Sequence, residues 1–116
     1  MLLAVDIGNT NTKIAIADGH NVLHEWRIST DSKRTGDEYF SILRPLIRDA
    51  EIDVKKIDSA ILSSVVPALI GAFVIVSQHL IGKKPIIIGP DMYDCLPIKL
   101  PESAKYEAEA FLSVVS

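Results

Sequence analysis

A single cysteine, Cys95, excludes a disulfide framework within the chain and fits a reducing compartment. As a nucleophile it is a poorer reading than as an incidental loop residue. Basic residues are few: 12 Lys and Arg stand against 15 Asp and Glu, a formal net charge of −3, so the basic footprint of a nucleic-acid groove is missing. The basic pair Lys33-Arg34 is too short to argue from and reads as a solvated loop. Long apolar runs are lacking too. The longest, Ala68 to Ser77, is too short and interrupted to span a bilayer. The N-terminal run has no basic region before it and is broken by Asp6, which argues against a signal peptide. No repeat and no low-complexity tract is visible. The expectation is a soluble cytoplasmic protein that binds neither nucleic acid nor membrane. What is present is a 48% hydrophobic content in 116 residues, enough for one domain with a real core.

The chain is organised around Asp6-Ile7-Gly8-Asn9-Thr10-Asn11-Thr12-Lys13, set between the apolar runs Leu2 to Val5 and Ile14 to Ala17. Two such runs joined by a Gly-Asn turn read as a β-hairpin. Asp6, at the end of the first strand, offers carboxylate oxygen to a hard cation. Gly8 lets the backbone approach a ligand closely. Asn9, Thr10 and Asn11 offer amide and hydroxyl donors, and Lys13 a positive charge. Together they suit a Mg²⁺-bound polyphosphate, with Asp6 as the metal ligand. Taken alone, the octapeptide reads equally well as a plain turn with Asp6 solvating its end.

The strands expected are Leu2 to Asp6, Thr12 to Asp18 and Asn21 to Ser29, a meander with Val22, His24, Trp26 and Ile28 on one face of the third. Thr35-Gly36-Asp37-Glu38 is a capping box that starts a helix, in which Pro45 must kink the chain or cost a hydrogen bond. After a polar connector, Asp53 to Lys56, come a buried strand (Ala60 to Val66) and a helix (Pro67 to Ile81) closed by Gly82. That helix is apolar nearly all round, which implies burial on more than one side, and its His79 reads as a polar-edge residue rather than a ligand. A second buried strand, Lys84 to Pro90, a loop from Asp91 to Leu100 and a final helix from Glu102 complete the order. A three-stranded antiparallel meander followed by αβαβα, with a mixed five-stranded sheet, is the α/β topology of a ribonuclease-H-like or actin-like half-domain. It places the first turn at a cleft where ATP phosphates lie. A nuclease of this topology would use further carboxylates to hold two metals, and the later strands here carry none.

Five stretches in this order and spacing resemble the type III pantothenate kinases. They are Asp6 to Thr12, Trp26-Arg27-Ile28-Ser29-Thr30, Thr35 with Asp37-Glu38-Tyr39, Ser63-Ser64-Val65-Val66-Pro67, and Gly89-Pro90 followed by Leu96-Pro97-Ile98-Lys99. The resemblance covers about residues 1–99, as an N-terminal actin-like ATPase half-domain, and leaves 100–116 as a diverged, helical C-terminal segment. It implies ATP-dependent phosphorylation of pantothenate, the first step of coenzyme A synthesis, with Mg²⁺ and a monovalent cation (K⁺ or NH₄⁺). Asp6 would bind metal and phosphate. Gly8, Asn9, Thr10, Asn11 and Lys13 would line the phosphate path. The Trp26-Arg27 and Ser-Ser-Val-Val-Pro stretches would frame the cleft. Arg27 itself stays open between ligand contact and a strand residue paired with a local acid.

The family's next motif is an aromatic, Asn-Pro, then Gly-Ala-Asp-Arg, whose Asp is the general base. Here the region reads Leu100-Pro101-Glu102-Ser103-Ala104-Lys105-Tyr106-Glu107-Ala108-Glu109. Glu107 or Glu109 could stand near the base, but neither matches the motif cleanly, and both read better as solvated helix carboxylates. The family also has a second actin-like half. The chain is therefore expected to be the N-terminal half or one subunit of such a kinase, joined by a second subunit or a homo-oligomer, and catalytically poor alone. The other reading is a non-catalytic nucleotide-binding or regulatory subunit.

Overall fold

The computed structural model describes residues 1–19 and 21–88. Glu107, Glu109, Cys95, the Gly89-Pro90 motif, the loop and helix expected after it and the 99/100 boundary lie outside the described residues.

Strand β1 (Leu2–Ile7) is apolar except for Asp6, and such a continuous run belongs to a central strand covered on both faces. It does sit centrally, in the order β3-β2-β1-β4-β5, with β2 (Asn11–Asp18), β3 (Asn21–Ser29), β4 (Ser59–Ser64) and β5 (Ile86–Ile88). The first three strands are antiparallel, while β4 runs parallel to β1 and β5 parallel to β4. This is the mixed five-stranded sheet expected.

Alternation splits the sheet into two faces. Leu3, Val5 and Ile7 pair with Ile16, Ile14 and Thr12 on one side and with Ala60, Leu62 and Ser64 on the other. They form the core under helices α1 (Gly36–Asp49) and α2 (Ile70–Ile81), with Tyr39, Leu43, Ile47, Phe73 and Val76. Leu2, Ala4, Ala15, Ala17 and Ile61, on the opposite face, are also buried.

α1 begins as expected. Thr35 Oγ1 accepts from the Glu38 N–H at 3.2 Å, and Glu38 Oε1 accepts from the Thr35 N–H at 3.1 Å. The helix runs on through Pro45, so the cost falls on the bond that a missing N–H denies the Ser41 carbonyl.

Three elements differ from expectation. β4 stops at Ser64, because the Ser64 hydroxyl binds the Val66 backbone (2.9 and 2.8 Å) in place of a ladder bond. The helix expected from Pro67 opens with a 3-10 turn at Pro67–Leu69, where no side chain caps the free N–H groups, and α2 starts at Ile70. β5 is three residues long and lies at the sheet edge with Ile87 48% exposed, so it is not a fully buried strand. α2 is buried against the sheet and core through Phe73, Val76 and Leu80. The start of α1 approaches it at Ala72 and Ile75, but Ala72 is only partly buried and Ile75 is 41% exposed, so the second side is not fully covered. Gly82 caps it at φ 73°, and His79 is exposed. Among the described residues no helix is long and apolar enough to cross a membrane.

Candidate functional site

The carboxyl ends of β1 and β4 point the same way, and open α/β sheets bind ligands beyond the carboxyl ends of parallel strands. Asp6 is the last polar residue of β1. Its register partners are Lys13 on β2 and Ser63 on β4, and Lys13 is in turn opposite Arg27 on β3. Paired residues share a face, so Arg27, Lys13, Asp6 and Ser63 form one line across four strands, on the face away from the helices. Asp6 and Lys13 are half-buried, Ser63 buried and Arg27 exposed.

The loop above this line is tight. The Gly8 N–H donates to the Asn11 carbonyl at 3.0 Å, and a Cβ on Gly8 would meet that same oxygen at 3.0 Å. The glycine thus suits a close approach of backbone to backbone, which a side chain would press apart by a few tenths of an ångström, and Gly8 is not among the residues with positive φ. Asn9, Thr10 and Asn11 are exposed. The N–H groups of Asn9 and Thr10 have no hydrogen-bond partner among the described residues. Two N–H groups of exposed loop residues, two amides and a hydroxyl beside a Lys and an Asp can hold a phosphate chain and its cation.

The loop is anchored from behind. The Thr30 N–H donates to the Thr10 carbonyl at 2.8 Å, and the Thr12 and Thr30 hydroxyls share a bond of 2.8 Å. The next residue, Asp31, is gripped at both ends by Tyr39 of α1, whose Oη accepts from the Asp31 N–H (3.0 Å) and donates to the Asp31 carbonyl (2.9 Å). Tyr39 is fully buried and tilts against Phe73 at 4.6 Å between ring centroids. Tyr39→Phe removes both bonds and keeps the ring. Its expected cost is about 1 kcal/mol, hence a melting temperature lower by roughly 4–8 °C, with faster amide exchange at Thr30 and Asp31. Thermal denaturation and exchange measurements check it.

Asp6, Gly8, Asn9, Thr10, Asn11 and Lys13 therefore come together as one constellation. Sequence reasoning treated Ser63 as framework, and the parallel register makes it a neighbour of Asp6. It also left out the Thr12–Thr30 and Tyr39–Asp31 anchors. Thr35 to Tyr39 was visible as a motif, but a buried tyrosine hydroxyl bridging one residue has no sequence signature.

Residues 2–110 match the model of the family described as type III pantothenate kinase. The match runs past 99 and takes in the segment that carries Glu107 and Glu109. The type III pantothenate kinase of Syntrophotalea carbinolica is 35% identical over 116 residues, covering 100% of this chain and 46% of that protein. Among solved structures, a Porphyromonas gingivalis protein assigned as an N-acetylglucosamine kinase superposes with a TM-score of 0.58 at 19% identity, over 79% of this chain and 35% of that one. The ROK hexokinase of Thermus thermophilus gives a TM-score of 0.55 at 13% identity, over 76% of this chain and 34% of that one. At such identities these two similarities describe the fold, which is that of the sugar-kinase and actin-like proteins. The chain spans about half the length of the curated relatives it matches. By the match over residues 2–110, this chain belongs to the type III pantothenate kinase family.

Proposed function

We propose that the chain forms the phosphate-binding wall of an enzyme that transfers the γ-phosphoryl group of ATP to the hydroxyl of pantothenate, the first step of coenzyme A synthesis. The observation that supports this most is the line Lys13–Asp6–Ser63 beneath the Gly8–Asn11 loop, in a chain of this family.

The residues fit Mg²⁺ in one particular way. Among the described residues no cluster of three or more His, Cys, Asp or Glu exists, so Asp6 would be a lone protein carboxylate, the usual manner for an ion that keeps waters and phosphate oxygens. When bound, the ion offsets charge on the transferring phosphates. The loop does the rest on this side. Asn9 and Thr10 offer N–H groups to phosphate oxygens, their side chains and Asn11 add donors, Gly8 keeps the loop tight, and Lys13 neutralises charge. The pantothenate hydroxyl oxygen attacks the γ-phosphorus as the bond to ADP breaks, and its proton passes to a base. Glu107 and Glu109 are the carboxylates we put forward for that role. A monovalent cation, K⁺ or NH₄⁺, completes the cofactor set on family grounds. Both walls are needed to hold donor and acceptor in line, so a second subunit, a further copy or a C-terminal half supplies the other, and the cytosol is the setting.

The test uses the purified chain with ATP, pantothenate, Mg²⁺ and K⁺, alone and with the separately expressed C-terminal half of the S. carbinolica relative. The expected result is Mg²⁺-dependent ATP binding by the chain alone and pantothenate-dependent ADP release only with the second wall. Binding that never leads to turnover would favour a nucleotide-binding regulatory subunit. No ATP binding at all would sink both readings.

A further inference from the structure

The β2–β3 register sets two cations, Lys13 and Arg27, directly opposite each other on one face of the sheet. Like charges in that position repel and destabilise the strand pair, so the arrangement calls for a counter-charge. No carboxylate lies within 4.0 Å of either side chain among the described residues. The local acid that could have explained Arg27 as a plain strand residue is thus not paired with it. Glu25 shares its strand and face without forming an ion pair, and Asp6 lies two strands away, roughly 9–10 Å at the usual strand spacing. Within this line of side chains, the two positive charges therefore stand side by side on the β2–β3 side of Asp6, near the Gly8–Asn11 loop.

We infer that Arg27 is a second phosphate-binding cation, which together with Lys13 clamps the polyphosphate of a nucleoside triphosphate from the β3 side of the loop. The inference rests on the phosphate-wall reading above and adds a residue to it. The chemistry suits the position. Lys13, half-buried, acts as a point charge under the loop. Arg27, exposed, has a planar fork that takes two oxygens of one phosphate and a stem long enough to swing over the loop rim. β3 is also the strand whose end carries Ser29 and Thr30, and Thr30 is tied to the Thr10 carbonyl. Phosphate held by Arg27 would thus draw together the two segments that Thr30 already joins. The rival account is a solvated cation guarding an edge strand against pairing with another chain.

The test measures binding of Mg²⁺–ATP and, separately, of inorganic tripolyphosphate to the full chain by calorimetry. The variants are R27Q, R27K and D6N, with R48Q on α1 as a distant control. R27Q is expected to weaken both ligands by about the same factor, roughly 10-fold, and to flatten the loss of affinity with added salt. R27K is expected to recover part of the loss, and R48Q to match the parent. Circular dichroism and melting confirm that each variant is folded. If the parent binds and R27Q binds equally well, Arg27 is an edge guard and the inference falls while the phosphate-wall reading stands. If the parent binds neither ligand, the phosphate-wall reading and the inference fall together.

Discussion

Asp6→Asn is expected to lower pantothenate-dependent phosphorylation by roughly 10²–10³-fold in the assembled enzyme, the scale seen when one preorganised electrostatic contact to a transition state is removed. The substitution keeps shape and removes one negative charge. Asp6 is half-buried at the end of a central strand, between Lys13 and Ser63. The Leu2–Val5 and Ile14–Ala17 core beneath it is unaffected, so melting is expected to move by less than about 3 °C, the range of a sub-kcal/mol change.

The sign of the binding change separates a metal ligand from a structural acid. Without Asp6 the line of side chains keeps Lys13 and Arg27 and loses its acid, so its local charge becomes more positive. Metal-free tripolyphosphate is then expected to bind as well as before or better. Binding enhancement by Mg²⁺ is expected to vanish. Calorimetry with and without Mg²⁺ checks this. If both forms weaken together, Asp6 holds the loop instead of the ion, and the metal assignment is wrong.

What could be read without coordinates was the local chemistry. The Thr35–Glu38 box, Gly82 as a helix stop and the hairpin around Gly8 each depend on a few adjacent residues, and all three are in place. The six residues proposed to line the phosphate path are open to a local reading for the same reason, since all lie within one octapeptide, Asp6 to Lys13. Ser63 was not, because its place beside Asp6 depends on the parallel pairing of two strands more than fifty residues apart in sequence. Nothing in either strand states the register. The end of β4 was misread because Val65 and Val66 carry strand propensity, yet one serine hydroxyl supplies the Val66 backbone with other partners. β5 was misread because three isoleucines imply burial on both faces, whereas β5 is the outermost described strand and Ile87 is 48% exposed. Propensity speaks to what a residue tolerates, and coverage is decided by elements elsewhere in the chain.

Gly36 carries the second large effect, and its direction is opposite to what helix propensity alone would give. It is buried at the start of α1, where α1 meets α2. A Cβ there would stand 2.8 Å from the Ala72 carbonyl oxygen and 2.9 Å from the Ile75 Cβ. Neither atom can rotate away, so α1 and α2 must separate. Ala in place of Gly gains at most about 1 kcal/mol in a helix, while overpacking of this kind costs about 1–3 kcal/mol. Gly36→Ala is therefore expected to be destabilising, with melting lowered by roughly 4–12 °C. Gly71, in the first turn of α2, has nothing within 4 Å of its would-be Cβ. Gly71→Ala is expected to stabilise by roughly 0.5–1 kcal/mol. Opposite signs at two glycines of one helix pair are a strict check of the α1–α2 approach by thermal denaturation. The same contact sits next to the Thr35 cap, five residues from Thr30, which holds the Thr10 carbonyl. Gly36→Ala should therefore also weaken tripolyphosphate binding, and Gly71→Ala should leave it alone. If Gly36→Ala melts like the parent, α2 yields at Ala72 and the packing of the two helices is looser than the distances state.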